Sequence, residues 1–535
     1  MVMRFLFCFI CLIGAAAAVA QNTLPEGQIE VIKGYEVKLA PAGKIKFVPQ
    51  PVQVDSSVRR YSYKLLAPSP SINYLRPEIK PLAIQPEKKP SAYPFFVKAG
   101  YGSPNALLGT LSYDHSNGEA FRWGTDIRHL SANNKKIPLQ RFSDTEAHID
   151  ATYLLNEKVA VDGYVNGHFE TVYFYAAETI PPNEESLKRA FNRFDGYVAI
   201  EQAHAPETSF NFKGFLQYQS DKDDLGSTEA GYKLGAEAGT AIGQEGFPLG
   251  LKLLVDYSTL NHTKTYQLRN ILLQPFFDYH IGSFKFHLSG IALMNEQADE
   301  LLPDLSVSYF MGDSPFTIEA GWKGAVQKNN FHFLSSYNPY LDTRLDSLTN
   351  EVSRSVYAEL RSSGGTFSYS LRGAYTTFSG MAFFLQDRNT PYTFDVLYDD
   401  GSFASISAVI ELELLKQVDL RAQFYQRFYA LDSEPKPWHR PSGELKGQIT
   451  YDGGGDVFHV SLLTHFRNGL PYRTPGGTEA SLKPLIDVSL HGDYYFTKSL
   501  GAFVEVNNMA ANKSERWVGY PSFGFNTKAG IMWRM

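Results

Sequence analysis

The sequence predicts an all-β fold: a transmembrane antiparallel β-barrel of about 22 strands with an irregular N-terminal periplasmic tail. Three observations carry this reading. A secretory leader opens the chain of 535 residues. Segments of about ten residues then alternate apolar and polar positions, the dyad period of a barrel wall. Short turns exchange regularly with longer polar connections, as an up-and-down sheet requires. No long apolar run follows the leader, so helical spans are excluded. A mean hydropathy of −0.25 suits a barrel, because lipid-facing apolar residues are averaged with a polar lumen.

Residues 1–20 read as a signal peptide. Arg4 precedes an apolar stretch from Phe5 to Gly14, and small residues end in Ala18-Val19-Ala20, an A-x-A cleavage site before Gln21. A lipoprotein signal would need its cysteine after the apolar stretch, whereas Cys11 falls in the middle of it. Cleavage removes both Cys8 and Cys11. The mature chain is then expected to lack disulfides, thiolate chemistry and Cys-ligated metal.

Residues 21–92 form a Pro-rich basic tail, with 10 prolines, 11 Lys or Arg and 6 Asp or Glu, a net +5. Proline at that density is incompatible with central strands and helix interiors, so extended or polyproline-like chain is expected. The whole chain carries −6; without the leader's Arg4 it is −7, and without the tail's +5 it is −12. Opposite signs allow the tail to lie against acidic groups of the body or of a partner. A solvated linker is the alternative.

Residues 93–535 are the barrel. Ile406, Ala408, Ile410, Leu412 and Leu414 alternate with Ser405, Ser407, Glu411 and Glu413; Ile486, Val488 and Leu490 alternate with Asp487, Ser489 and His491; and Val356, Ala358 and Leu360 alternate with Tyr357, Glu359 and Arg361. A soluble sandwich also alternates, but the leader, the number of segments and the unequal connections favour the barrel. Strands are expected at 93–101, 106–116, 120–130, 146–155, 158–174, 192–203, 209–219, 228–241, 250–257, 270–279, 284–294, 301–310, 316–326, 353–361, 366–378, 403–415, 418–429, 443–452, 456–466, 484–495, 500–509 and 523–535. An even count puts both ends of the barrel on the periplasmic side. The run 381–398, split by Arg388-Asn389-Thr390-Pro391, is expected to be an extracellular hairpin rather than a further pair of wall strands. In the last strand Ile531, Trp533 and Met535 should face lipid, with Lys528 and Arg534 inward.

Candidate chemistry is sparse. His459 and His465 share one strand face about 20 Å apart, too far to hold one ion. No G-x-S-x-G elbow and no H-E-x-x-H occur, so no enzyme activity, catalytic residue, cofactor or metal is expected. The stretch Asp221-Lys222-Asp223-Asp224 clusters carboxylates but fails as an EF-hand, with Leu225 and Tyr232 at ligand positions; it reads as a solvated loop tip, with a weak Ca²⁺ site as the alternative. Trp438, His439, Trp517 and Tyr520 are possible extracellular loop contacts for a ligand, the alternative being loop packing or the interfacial aromatic girdle. Glu26, Ile29, Val31 and Ile32 form a possible partner-docking segment, acidic and then β-branched, suited to strand addition.

Several motifs resemble a known family. Asn507-Asn508-Met509 followed by Arg516-Trp517-Val518-Gly519-Tyr520-Pro521 looks like the penultimate strand and last outer loop of TonB-dependent receptors, and Phe394 to Asp400 recurs in barrels of that kind. Ile29 to Tyr35, Lys44-Ile45-Lys46, Val97 to Gly102, His129-Leu130-Ser131 and Phe142 to Ala147 resemble a plugless TonB-dependent-receptor-like outer-membrane β-barrel family of Bacteroidota. The resemblance implies the outer membrane of a Gram-negative cell, with its lipid as a partner. A true receptor carries a folded plug before the barrel, whereas here only the tail precedes it. Barrels of this size usually have a plugged lumen, so the tail, inward-folded loops or a second protein must close it. The resemblance further implies a component of an outer-membrane transport or envelope-assembly complex, with envelope protein partners reached through tail or loops and no nucleic acid. The alternative is a stand-alone transport pore, porin-like or linked to TonB.

Overall fold

The computed structural model describes residues 93–535 apart from 119, 178–182, 204–209, 244–245, 313 and 455–456. The leader, the tail and the segment Glu26, Ile29, Val31 and Ile32 lie outside the described residues. Twenty-two strands form one sheet. The first, Phe95–Ser103, pairs antiparallel with both Ala106–Asn117 and the last, Asn526–Arg534, and so closes the ring. At the seam Phe95 and Met535 exchange backbone hydrogen bonds of 3.2 and 3.0 Å. Closure leaves no strand edge without a partner, as a backbone surrounded by lipid requires.

The two faces follow the predicted alternation. On Leu485–Tyr495, Ile486 and Leu490 are exposed outward, while Ser489 donates to Asp487 at 2.8 Å and His491 bonds Asn507 at 2.9 Å on the inner face. On Asn350–Ser362, Val356 is exposed and Tyr357 donates inward to Glu319 at 2.8 Å. In the last strand Ile531 and Trp533 are exposed, and Lys528 pairs with Glu505 at 3.2 Å. Exposed Leu, Ile, Val, Phe, Tyr and Trp recur from strand to strand around the outside. That is far more apolar surface than a soluble protein shows, and it is the surface a bilayer covers.

One end of the barrel carries tight turns, such as that joining Thr265–Ile281 to Phe284–Asn295, and both barrel termini lie there. The other end carries the long connections. Most strands start and stop within a few residues of expectation, but several run further at the long-connection end. Phe367–Gln386 and Phe394–Leu415 extend well past the expected 366–378 and 403–415. The run 381–398 is a hairpin, yet its arms continue two wall strands instead of standing apart from them. A register shift between Phe378 and Met381 separates arm from wall. Gly380 occupies this kink at φ +69°, where an added Cβ would stand 2.4 Å from the Asn350 carbonyl oxygen. The longest connection, residues 329–349, holds a short helix, Phe331–Tyr337, that periodicity did not predict.

Candidate functional site

The long connections do not splay into solvent. Leu139, Phe174, Leu187, Phe331, Leu334, Leu341, Phe384, Phe394, Trp517 and Tyr520 are buried against one another in a single core. They come from five connections spread over the ring, so the core gathers at the long-connection end of the barrel. Tyr340 and Tyr520 stack with centroids 3.6 Å apart, and Tyr175 meets Tyr520 edge-on at 4.9 Å. Trp517 packs 5.2 Å from Phe384 and 5.3 Å from Phe394. Backbone carbonyls of one connection serve side chains of another: Tyr520 donates to Tyr392, Gln140 to Pro521 at 2.6 Å, and Tyr266 to Leu345 at 2.7 Å. Burial pushes the Tyr340 and Tyr520 hydroxyls well above the ordinary tyrosine range; both remain neutral.

The connection 329–349 is latched to the wall by charge. Asn330 caps the helix, its side chain accepting from the Phe333 amide at 3.2 Å. Glu229, at the rim of the strand Thr228–Ile242, accepts from the Phe331 amide at 3.2 Å, the His332 amide at 2.9 Å and the Asn330 side chain at 3.0 Å. Helix starts leave amide donors free, and Glu229 supplies the acceptor. Beside it Asp221 meets His332 at 2.9 Å and Arg193 at 3.4 Å; Arg193 also pairs with Glu170 at 2.8 Å, and Arg189 with Asp223 at 3.2 Å.

These contacts correct the reading of 221–224 as a solvated tip. The strand Phe210–Asp223 runs past the expected end at 219, which turns Asp221 and Asp223 inward to the two arginines; both are almost fully buried. Two other groups could bring three ligand atoms within 4.8 Å, Asp144 with Glu146 and His168, and Asp342 with Asp387 and Asp395. Most of these groups are engaged: His168 bonds Asp144 at 2.8 Å, Arg128 pairs with Glu146 at 2.7 Å, Arg344 holds Asp342 at 2.6 Å, and Asp387 accepts the Asn389 and Thr390 amides, while among the described residues the Asp395 side chain has no such partner. His459 and His465 each have their own carboxylate, Asp452 at 2.5 Å and Glu444 at 2.7 Å.

The four aromatic and histidine loop residues singled out from sequence are all buried. Trp438 sits among Phe378, Met381 and Phe383 and donates its indole N–H to Glu434 at 2.7 Å. His439, at φ +55°, faces Phe394 edge-on at 5.1 Å and lies 5.2 Å from Trp517. Its Nδ1 is 2.8 Å from the Phe384 carbonyl oxygen, and its Nε2 accepts the Val518 amide at 3.5 Å. Only the neutral Nδ1–H tautomer makes both bonds. Burial, reinforced by nearby Arg516, lowers its pKa to about 4. All four side chains pack among the loops. The sequence reading missed Glu229, Arg189, Arg193 and the helix. The apolar run Phe331-His332-Phe333-Leu334 inside a polar connection was the available signal.

Below the core, ion pairs link strands along the inner wall. Lys98 reaches Glu505 at 3.0 Å, Lys213 reaches Glu201 at 2.6 Å, and Lys252 reaches Glu237 at 3.3 Å. The inner wall is therefore polar and charged, beneath an aromatic core at the long-connection end.

No family model matches the chain, and no curated protein matches it. Its fold is similar to solved receptor barrels. A chain of the FpvAI–pyocin S2 complex superposes with a TM-score of 0.62 at 13% identity, covering 84% of this chain and 71% of that one. The siderophore receptor PirA from Acinetobacter baumannii gives 0.60 at 10% identity, covering 82% and 80%. A mutant of the ferric enterobactin receptor PfeA from Pseudomonas aeruginosa, with enterobactin, gives 0.60 at 9%, covering 82% and 81%.

Proposed function

We propose that the protein is a TonB-dependent-receptor-like outer-membrane barrel without a folded plug, acting in a transport or envelope-assembly complex. The single observation that carries this is the aromatic core that the protein's own loops build at the long-connection end. A stand-alone pore needs a continuous aqueous path, and on this reading the aromatic core crosses it. Similarity to siderophore receptors supports transport over catalysis as the general class. The apolar outer face supports residence in the outer-membrane bilayer, with the long connections extracellular and both barrel termini periplasmic.

The leader exports the chain, and the tail at 21–92 lies in the periplasm. Its +5 charge suits it to dock an acidic envelope partner, with Glu26, Ile29, Val31 and Ile32 available for strand addition. Whether TonB engages this segment is a separate outcome of the same test. Native pull-down in mild detergent should recover envelope proteins with the full chain, and deletion of residues 21–90 should remove at least one of them. A monomer that recovers nothing, with or without the tail, overturns the reading.

A further inference from the structure

Charge pairing on the inner wall is missing from a cluster near its long-connection end. Arg427 and Arg467 point inward near the upper ends of the strands Val418–Leu431 and Phe458–Asn468, and Arg440 and Arg516 descend from two connections above them. Arg440 and Arg516 lie over the Tyr337 ring at 4.6 and 4.9 Å. Arg427 is within electrostatic reach of the same phenol, and Arg467 within reach of Arg516. Among the described residues none of the four is ion-paired with a carboxylate. Arg427 donates to two tyrosine hydroxyls and Arg440 to a backbone carbonyl. Arg467 Nε and Arg516 Nη1 are buried with no hydrogen-bond partner. Two acids lie within electrostatic reach: Glu351 of Arg440 and Arg427, and Glu444, itself paired with His465 and Lys446, of Arg467.

Four half-buried guanidinium groups outnumber the two carboxylates in reach and repel one another, and unpartnered buried donors carry a desolvation cost. Even the Tyr337 hydroxyl responds: burial pushes it up, yet Arg440, Arg516 and Arg427 together hold it below the ordinary value. Elsewhere on the same wall arginines do have acids, as Arg372 has Glu359 at 3.8 Å. A recess of about 450 Å³ on the same strands, lined by Gln423 and His465 among others, lies a few residues further along the wall; none of the four arginines lines it.

We propose that these four arginines form a binding site for a small multivalent oxyanion, carboxylate- or phosphate-bearing, that enters from the barrel chamber below the aromatic core. Planar guanidinium forks match such oxygens in bidentate geometry, and the ligand supplies the counter-charge that the protein lacks. The site does not depend on the functional reading above.

The test is calorimetric titration of the full chain in mild detergent at low ionic strength, with citrate and with pyrophosphate. At least one should bind, more weakly as salt rises. Arg467→Gln and Arg516→Gln should each weaken binding at least tenfold, while the ligand-free melting temperature holds or rises because repulsion is relieved. Arg372→Gln, on a paired arginine of the same wall, should bind as the parent does. The proposal is overturned if the parent binds neither anion, if both cluster variants bind normally, or if Arg372→Gln loses as much, which would indicate only the diffuse field of the chamber.

Discussion

His439 shows how one side chain ties three connections together. It sits on one, donates to Phe384 on a second and accepts from Val518 on a third. A proton on Nε2 would set N–H against N–H and place a cation beside Arg516. The folded pKa, about 4, lies below the unfolded value near 6.5, so between them the unfolded state binds more protons. The stabilisation is complete above about pH 6.5 and is lost progressively down to about pH 4, a span worth about 3 kcal/mol. Acidification should therefore loosen the loop core. Tryptophan fluorescence of Trp438 and Trp517 should report a step in that range. His439→Asn, which tolerates positive φ, should flatten it. An unchanged profile in the variant would mean that another group is responsible.

At the scale of elements, the connection 329–349 depends on Glu229 more than on helix propensity, since an isolated helix of seven residues is unstable in water. Glu229→Ala leaves the Phe331 and His332 amides and the Asn330 side chain without their acceptor, at about 1–3 kcal/mol for each group that stays buried. Hydrogen exchange should rise across 329–349 and remain low in the wall strands. Protection unchanged in that connection would refute the latch.

The same elements show what was legible in the sequence. Ile486, Val488 and Leu490 declare their face because lipid on one side and water on the other impose a period of two at every position of a wall strand. No such period governs 329–349. Its helix is fixed by Glu229, and its aromatics are fixed by Tyr520 and Phe394, all remote in sequence. Asp221 and Asp223 misled for a related reason. A cluster of acids near a turn resembles a solvated tip until the strand is known to continue and the arginines opposite are known to be there.

For the molecule as a whole, barrels of this size usually have a filled lumen, and here the loops gather an aromatic core at the long-connection end. Each fully buried aromatic contributes about 1.5–3 kcal/mol, and paired rings add about 0.5–1.5 kcal/mol. Phe331, Phe384, Phe394 and Trp517 together therefore favour one packed arrangement. Planar-bilayer conductance of the full chain tests most directly whether that core closes the mouth. The parent should insert without a steady ohmic current, and Trp517→Ala with Tyr520→Ala should produce repeated openings. A large steady conductance from the parent, equal to that of the double variant, would contradict the account.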